Sequence, residues 1–232
     1  MNRYYAPLLL VIALTALAGC AAVEDRVQFQ LGSQPVVYRD QWTRREPPAV
    51  FVYPKDAVGA EPSVLFVPFR VTQKITDPEM IGYAQSRTVY QTWLSMEIFP
   101  IMEYAAAEGP FRRDRAIALA RARGADLVVG GFVTYYLAGG SRTDSQLAIQ
   151  VEIYDAASGE LVCSMAQSAL MPAGNTNDYI IFATKTRLPS DPMYVMTKTM
   201  AEDMGQLLRG WFGSGPDGNS RIETRNVSRP SF

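Results

Sequence analysis

The chain has 232 residues, 48% of them hydrophobic, and a formal net charge of −1. That length and apolar content allow one domain with extensions around a real core and exclude disorder throughout; the near-neutral charge excludes electrostatic recruitment of nucleic acid. Histidine is absent, which excludes the His-dependent kinds of serine, cysteine and metal hydrolysis.

At the N-terminus, Arg3, an apolar run from Ala6 and the sequence Leu17-Ala18-Gly19-Cys20 have the form of a bacterial lipoprotein signal. The run is shorter than the ~20 residues that cross a bilayer, and its end in small residues favours a cleaved leader over a transmembrane anchor. Residues 1–19 are then a signal peptide with Leu17, Ala18 and Gly19 as its cleavage motif, and Cys20 carries the lipid that holds the chain to the membrane. Ala21 after the cysteine, rather than Asp, is similar to lipoproteins sent to the outer membrane, which places the chain on its periplasmic side. With Cys20 committed to lipid only Cys163 remains, so neither an intrachain disulfide nor a cysteine-pair metal site can form.

Residues 20–62 read as a tether, because Pro35, Pro47, Pro48, Pro54 and Pro62 interrupt any helix or interior strand. Val36-Val37-Tyr38, Trp42 and Val50-Phe51-Val52-Tyr53 argue against a wholly solvated linker and would dock on the domain or on a neighbouring subunit. Tyr38, Trp42, Phe51 and Tyr53 are the candidate partner-binding residues, since aromatic side chains are common interface anchors.

The domain is expected over 63–212. Val64 to Phe69 is apolar on both parities, the pattern of a strand covered on two faces. Asp77 before Pro78 predicts a helix start, and the helix should run through Ile81, Ala84, Val89, Trp93 and Leu94 and stop before Pro100. Residues 98–107 are open between a helix continuation and a short strand through Ile101 and Tyr104. A second helix is expected from Phe111 to Arg123, closed by Gly124, with Arg112, Arg113, Arg115, Arg121 and Arg123 on a solvated face rather than an anion-binding one.

Leu127 to Leu137 predicts a central strand and Gly139-Gly140 a turn. Leu147 to Ile153 alternates as a half-buried strand does, Asp155 to Gly159 turns again, and Leu161, Cys163 and Met165 continue the inward set. Cys163 reads as a small buried hydrophobe. Met193, Met196, Met200, Met204, Leu207 and Trp211 recur at three- and four-residue spacing, a helical stripe that packs on the sheet. Residues 213–232 are expected to be a disordered polar tail.

This order describes an α+β domain, a mixed β-sheet with helices packed against it. The passage Ala116 to Gly131, with its Gly124-Ala125-Asp126 corner, and Val151 to Val162, with its Asp155-x-x-x-Gly159 hairpin, sharpen it. Here the chain resembles the superfamily of the curli-secretion lipoprotein CsgG, the penicillin-binding-protein activator LpoB and the amino-terminal domain of TolB, over roughly residues 63–212. The resemblance implies an envelope interaction or assembly module, with an envelope protein partner or a homo-oligomer, and carries over no catalytic residue.

Two other readings have weaker support. A homo-oligomeric secretion channel of the curli type needs hairpin strands of about 9–11 residues, for which Leu161 to Met171 with Asn177 to Arg187 is the one candidate. An envelope hydrolase would lean on Asp178, Asp191, Glu202 and Asp203, but no spacing singles out a pair. No catalytic residue, metal ligand or cofactor is expected.

Overall fold

The computed structural model describes residues 38–54 apart from 41, 62–174 apart from 141 and 142, and 188–212, with the backbone alone for 176–178 and 183–185. The signal motif with Cys20 and the expected tail from 213 lie outside the described residues.

Three eleven-residue strands form the centre: β7 (Leu127–Leu137), β8 (Ser145–Asp155) and β9 (Leu161–Met171). They run antiparallel as a meander, with Val129 opposite Ile153 and Val151 opposite Met165. On the far side of β7, β4 (Ser63–Phe66) pairs in parallel, placing Val64 beside Leu127, and β5 (Arg70–Val71) pairs in parallel farther along. The strand β6 (Ile101–Tyr104) lies parallel to β4 at that edge and settles the ambiguity over 98–107. The sheet is therefore mixed, as expected of an α+β domain.

Side-chain alternation splits the sheet into two faces. On one, Val64, Phe66, Leu127, Val129, Ile149, Val151, Cys163 and Met165 meet Val89 and Trp93 of α1 (Pro78–Ser95) and Met193, Met196, Met200 and Met204 of α3 (Pro192–Phe212). The expected methionine stripe is thus core, and Leu208 joins it while Leu207 and Trp211 are half-buried. On the other face, Leu65, Val67, Val128 and Tyr154 meet Phe111, Ala116, Ile117 and Ala120 from α2 (Arg113–Arg123) and the turn before it.

The inner side of α1 differs from the expectation. It buries Gln85, Ser86 and Thr92 beside Val89 and Trp93, whereas Ala84 and Leu94 are exposed. These polar groups are satisfied: the Thr197 hydroxyl meets the Gln85 side-chain carbonyl, and Trp93 Nε1 donates to Ala201 O at 2.9 Å, so α1 and α3 are joined by hydrogen bonds as well as by apolar contact. Asp77 does precede the helix, but it adopts a left-handed backbone (φ 50°) and its side chain makes no capping bond. Pro78 at the first helical position supplies the start signal instead.

The segment read as tether contains sheet strands. β1 (Tyr38–Arg39) pairs with β2 (Arg44–Arg45), β2 pairs with β9 at Arg45 opposite Ala169, and β3 (Ala49–Val52) pairs with β9 at Val50 opposite Met165. Of the two docking alternatives, the domain is the one observed. For residues 38–54 the tether is corrected: the boundary at 62/63 falls inside the sheet. Strand β9 is correspondingly flanked by β8 on one side and β2 and β3 on the other, and among the described residues β10 (Thr176–Asp178) pairs only with β11 (Ala183–Lys185). Among the described residues Leu161 to Met171 therefore makes no ladder with 176–178 or 183–185, because β8, β2 and β3 already pair along its edges.

Candidate interaction surface

The Gly-Ala-Asp corner that carries the resemblance is a structural joint. Gly124 takes the left-handed conformation (φ 69°) that closes α2, and Ala125 N–H donates to Ala120 O at 3.0 Å, the bond that ends a helix in this manner. The Asp126 carboxylate then accepts from the Ser63 N–H at 2.8 Å and its hydroxyl at 2.7 Å, tying the start of β4 to the start of β7. Those two bonds hold the Asp126 carboxyl below its ordinary value. Ala156 N–H donates to Asp126 O at 2.8 Å, so the Asp155 hairpin is held at the same point.

The arginines of α2 serve this joint. Arg121 donates to the carbonyls of Ala156 and Ala157, the latter at 2.9 Å, and Arg113 to Gly159 O at 3.0 Å. Arg115 pairs with Glu108 and Arg123 with Glu103. Four of the five arginines expected on a solvated face therefore clasp this chain's own turns and carboxylates.

At the opposite edge the four aromatic candidates take different positions. Tyr38 is 42% exposed, with the Arg45 guanidinium 5.7 Å from its ring centre. Trp42 is half-buried against the core, and among the described residues its Nε1 has no hydrogen-bond partner. Tyr53, 60% exposed, packs edge-on against Trp211 of α3 with centroids 5.6 Å apart. Phe51 is 65% exposed. The structure thus brings Tyr38 and Tyr53 to α3, turns Trp42 inward and leaves Phe51 facing solvent.

Sequence reasoning missed the polar tie that fixes this edge. Arg45 Nε donates to Asp203 Oδ2 at 2.6 Å and its Nη2 to Oδ1 at 3.2 Å, with both side chains largely buried. Gln167 of β9 donates to the same carboxylate at 2.7 Å and to Glu46 O at 2.8 Å. Asp203 hydrogen bonding raises the Arg45 pKa despite its burial. Asp40 also meets Arg45 and accepts from the Thr43 hydroxyl and the N–H groups of Thr43 and Trp42; against the opposing effect of burial, these hold its carboxyl below the ordinary range. Beside this tie, Tyr38, Pro48, Gln206 and Leu207 border a hollow of about 350 Å³.

The other carboxylates named from the sequence have assigned places. Asp191 accepts the Tyr194 N–H at 3.0 Å, as an N-cap does; Asp203, read as the wet side of the last helix, is instead an ion-pair partner. Glu202 lies 3.9 Å from Lys198, and the Asp178 side chain is outside the described residues. Among the described residues no group of three or more His, Cys, Asp or Glu could hold a metal ion. Cys163 is fully buried, which pushes its thiol up to about 12.

A second hollow, of about 410 Å³, lies where α2 no longer covers the sheet. Arg44, Tyr135, Gln146, Ala148, Ser168 and Leu170 line it. The alternation of small and polar residues along β8 and β9 was the available signal for this open stretch.

No protein-family profile matches the chain, and no curated protein matches it. Among solved structures it is similar to the PelC dodecamer from Paraburkholderia phytofirmans, at 16% identity over 69% of this chain and 96% of that one, with a TM-score of 0.48. A lipoprotein from Neisseria meningitidis matches at 16% identity over 52% of this chain and 88% of its own, with a TM-score of 0.37. The LpoB C-terminal domain from Salmonella enterica matches at 15% identity over 47% and 84%, with a TM-score of 0.29.

Proposed function

We propose that the chain is a lipid-anchored protein of the bacterial outer membrane, facing the periplasm, which works as an interaction or assembly module and not as an enzyme. The lipoprotein-type motif ending at Cys20 supports the anchor. The interaction role rests on one observation: Phe51 and Tyr53 are 65% and 60% exposed on a segment whose neighbours are pinned into the sheet. Burying a side chain such as Phe51 is worth about 2 kcal/mol, so its stable presentation to solvent leaves that free energy for a partner. The carboxylates an alternative hydrolase would need are engaged in capping and ion pairing at Asp191 and Asp203.

Palmitate labelling tests the anchor: the native chain incorporates label and Cys20→Ser does not, and an unlabelled native chain with its leader intact overturns it. For the surface, removal of residues 36–53 would delete three strands, so point substitutions are the cleaner instrument. Phe51→Ser with Tyr53→Ser should keep the fold by circular dichroism and lose partner recovery from envelope extracts; unchanged recovery would refute the assignment.

A further inference from the structure

The covalent path from Cys20 enters the domain at one particular place. Residues 21–37 join Cys20 to Tyr38, a length that reaches at most about 60 Å fully drawn out. Tyr38 borders the hollow that Gln206 and Leu207 of α3 also line. One helical turn beyond Leu207 stands Trp211, against which Tyr53 packs edge-on, and the adjacent Phe212 meets Phe99 with centroids 5.3 Å apart. The last turns of α3 and the β1 to β3 segment thus share one surface, and the chain leaves toward Cys20 from that surface.

Its chemistry suits the boundary between water and lipid. Phe51, Tyr53 and Tyr38 are 65%, 60% and 42% exposed, with Leu207 and Trp211 half-buried among them. Tyr and Trp join an apolar ring to a polar tip, the combination that settles at the level of lipid headgroups. Ala49 to Tyr53 contains no charge, so no charged side chain of that segment has to be dehydrated when Phe51 leaves water. The Asp40 and Asp203 carboxylates are both paired with Arg45, while Arg39 and Arg209 are exposed and can face anionic headgroups. Glu97, which follows the Met96 carbonyl bonded by Arg209, offsets part of that charge, so the aromatic residues carry most of the attraction. Proximity decides between lipid and protein as the occupant: a chain held at Cys20 keeps the bilayer within reach of this surface at all times, whereas a protein must be recruited.

We infer that the domain docks on the phospholipid bilayer through this surface, with Phe51 entering the acyl boundary and Tyr38, Tyr53 and Trp211 at headgroup level. The inference rests on the anchor at Cys20 and deepens the interaction reading by naming lipid as what Phe51 and Tyr53 meet. Recovery from envelope extracts is then recovery of membrane, and detergent abolishes it.

The test uses the full native chain, acylated in a bacterial host and reconstituted into vesicles of phosphatidylethanolamine and phosphatidylglycerol. An environment-sensitive fluorophore is attached at Phe51→Cys or, as the control, at Met80→Cys, an equally exposed position on α1 (65%). Cys20 is capped by lipid and Cys163 is fully buried, so the native chain itself should take up no label. At Phe51→Cys the emission should shift to the blue and be quenched by lipid spin-labelled near its headgroup, several-fold more strongly than at Met80→Cys. Adding Tyr53→Ser should remove most of that difference with the circular dichroism unchanged, and high salt should lower it only in part. Equal quenching at the two positions overturns the docking and leaves the anchor in place. Recovery of a protein that persists in detergent and needs Phe51 and Tyr53 also overturns it, while the interaction reading survives with a protein partner. Labelling of the native chain at Cys20 overturns the anchor itself, on which the docking rests.

Discussion

The two faces of the sheet carry different burdens. Under α1 and α3, β7, β8 and β9 are buried by methionines and Trp93, with polar contacts such as Gln85 to Thr197 satisfied inside. On the reverse face α2 and the turn before it cover one end through Ile117 and Phe111; beyond it Tyr135 and Leu137 remain 42% and 41% exposed. The contrast separates stability from display: the closed face holds the strands in place, and the open stretch and the β3 edge present groups that the fold does not consume.

The largest effect expected from breaking this contrast is at Trp93. Trp93→Ala removes a fully buried ring and the bond to Ala201 O, and should cost about 3–5 kcal/mol in urea denaturation. A loss below about 1 kcal/mol would show that the helices do not dominate stability. Next is Asp203→Ala, which leaves Arg45 with only the more exposed Asp40 as a carboxylate partner and should cost about 2 kcal/mol; Asp203→Leu combined with Arg45→Met should recover much of it, because neither charge is then held in the half-buried site.

Gly130→Ala probes the covered end of the reverse face. An added methyl would sit 2.1 Å from the Phe111 ring, and displacing that ring should cost about 1–3 kcal/mol, read by the same titration. In the open stretch, Leu137→Ser should change stability by less than about 1 kcal/mol, and a larger loss would mean that this stretch supports the core after all.

The smallest effect is pH-dependent. The folded state holds the Asp126 carboxyl below its reference value of 3.8, so its contribution is complete above that value and disappears as pH falls through the lower folded one. Asp126→Asn should therefore be less stable than the native chain near neutrality, with the gap closing under acid; because Asp126 is almost fully hydrated, screening keeps it small. A gap that persists at the acid end would place its origin in geometry instead of charge.

The parts of the fold that were legible in the sequence are those with long period. β7 read as a strand because its apolar run is long, β8 and β9 because Leu147 to Ile153 and then Leu161, Cys163 and Met165 alternate, and α3 read as a core helix because its methionines repeat through three turns. The edge strands were not legible, since two to four residues between prolines carry no period and β2 is held by a carboxylate 158 residues away. The inner face of α1 was hidden by chemistry: Gln85, Ser86 and Thr92 look solvent-facing until their partners are in place. Of the candidate surface, the aromatics could be named from type alone, but their division between inward Trp42 and outward Phe51 depended on pairing with β9.

The Arg45 to Asp203 tie has a mechanical consequence. Tension entering from the N-terminal side meets β1 and β2 first, two-residue strands whose few backbone bonds would unzip in sequence. A doubly bonded guanidinium reaching from β2 into the last helix moves that load past the ladder and into the methionine-packed layer. The domain's first strands can thus be tugged without being peeled.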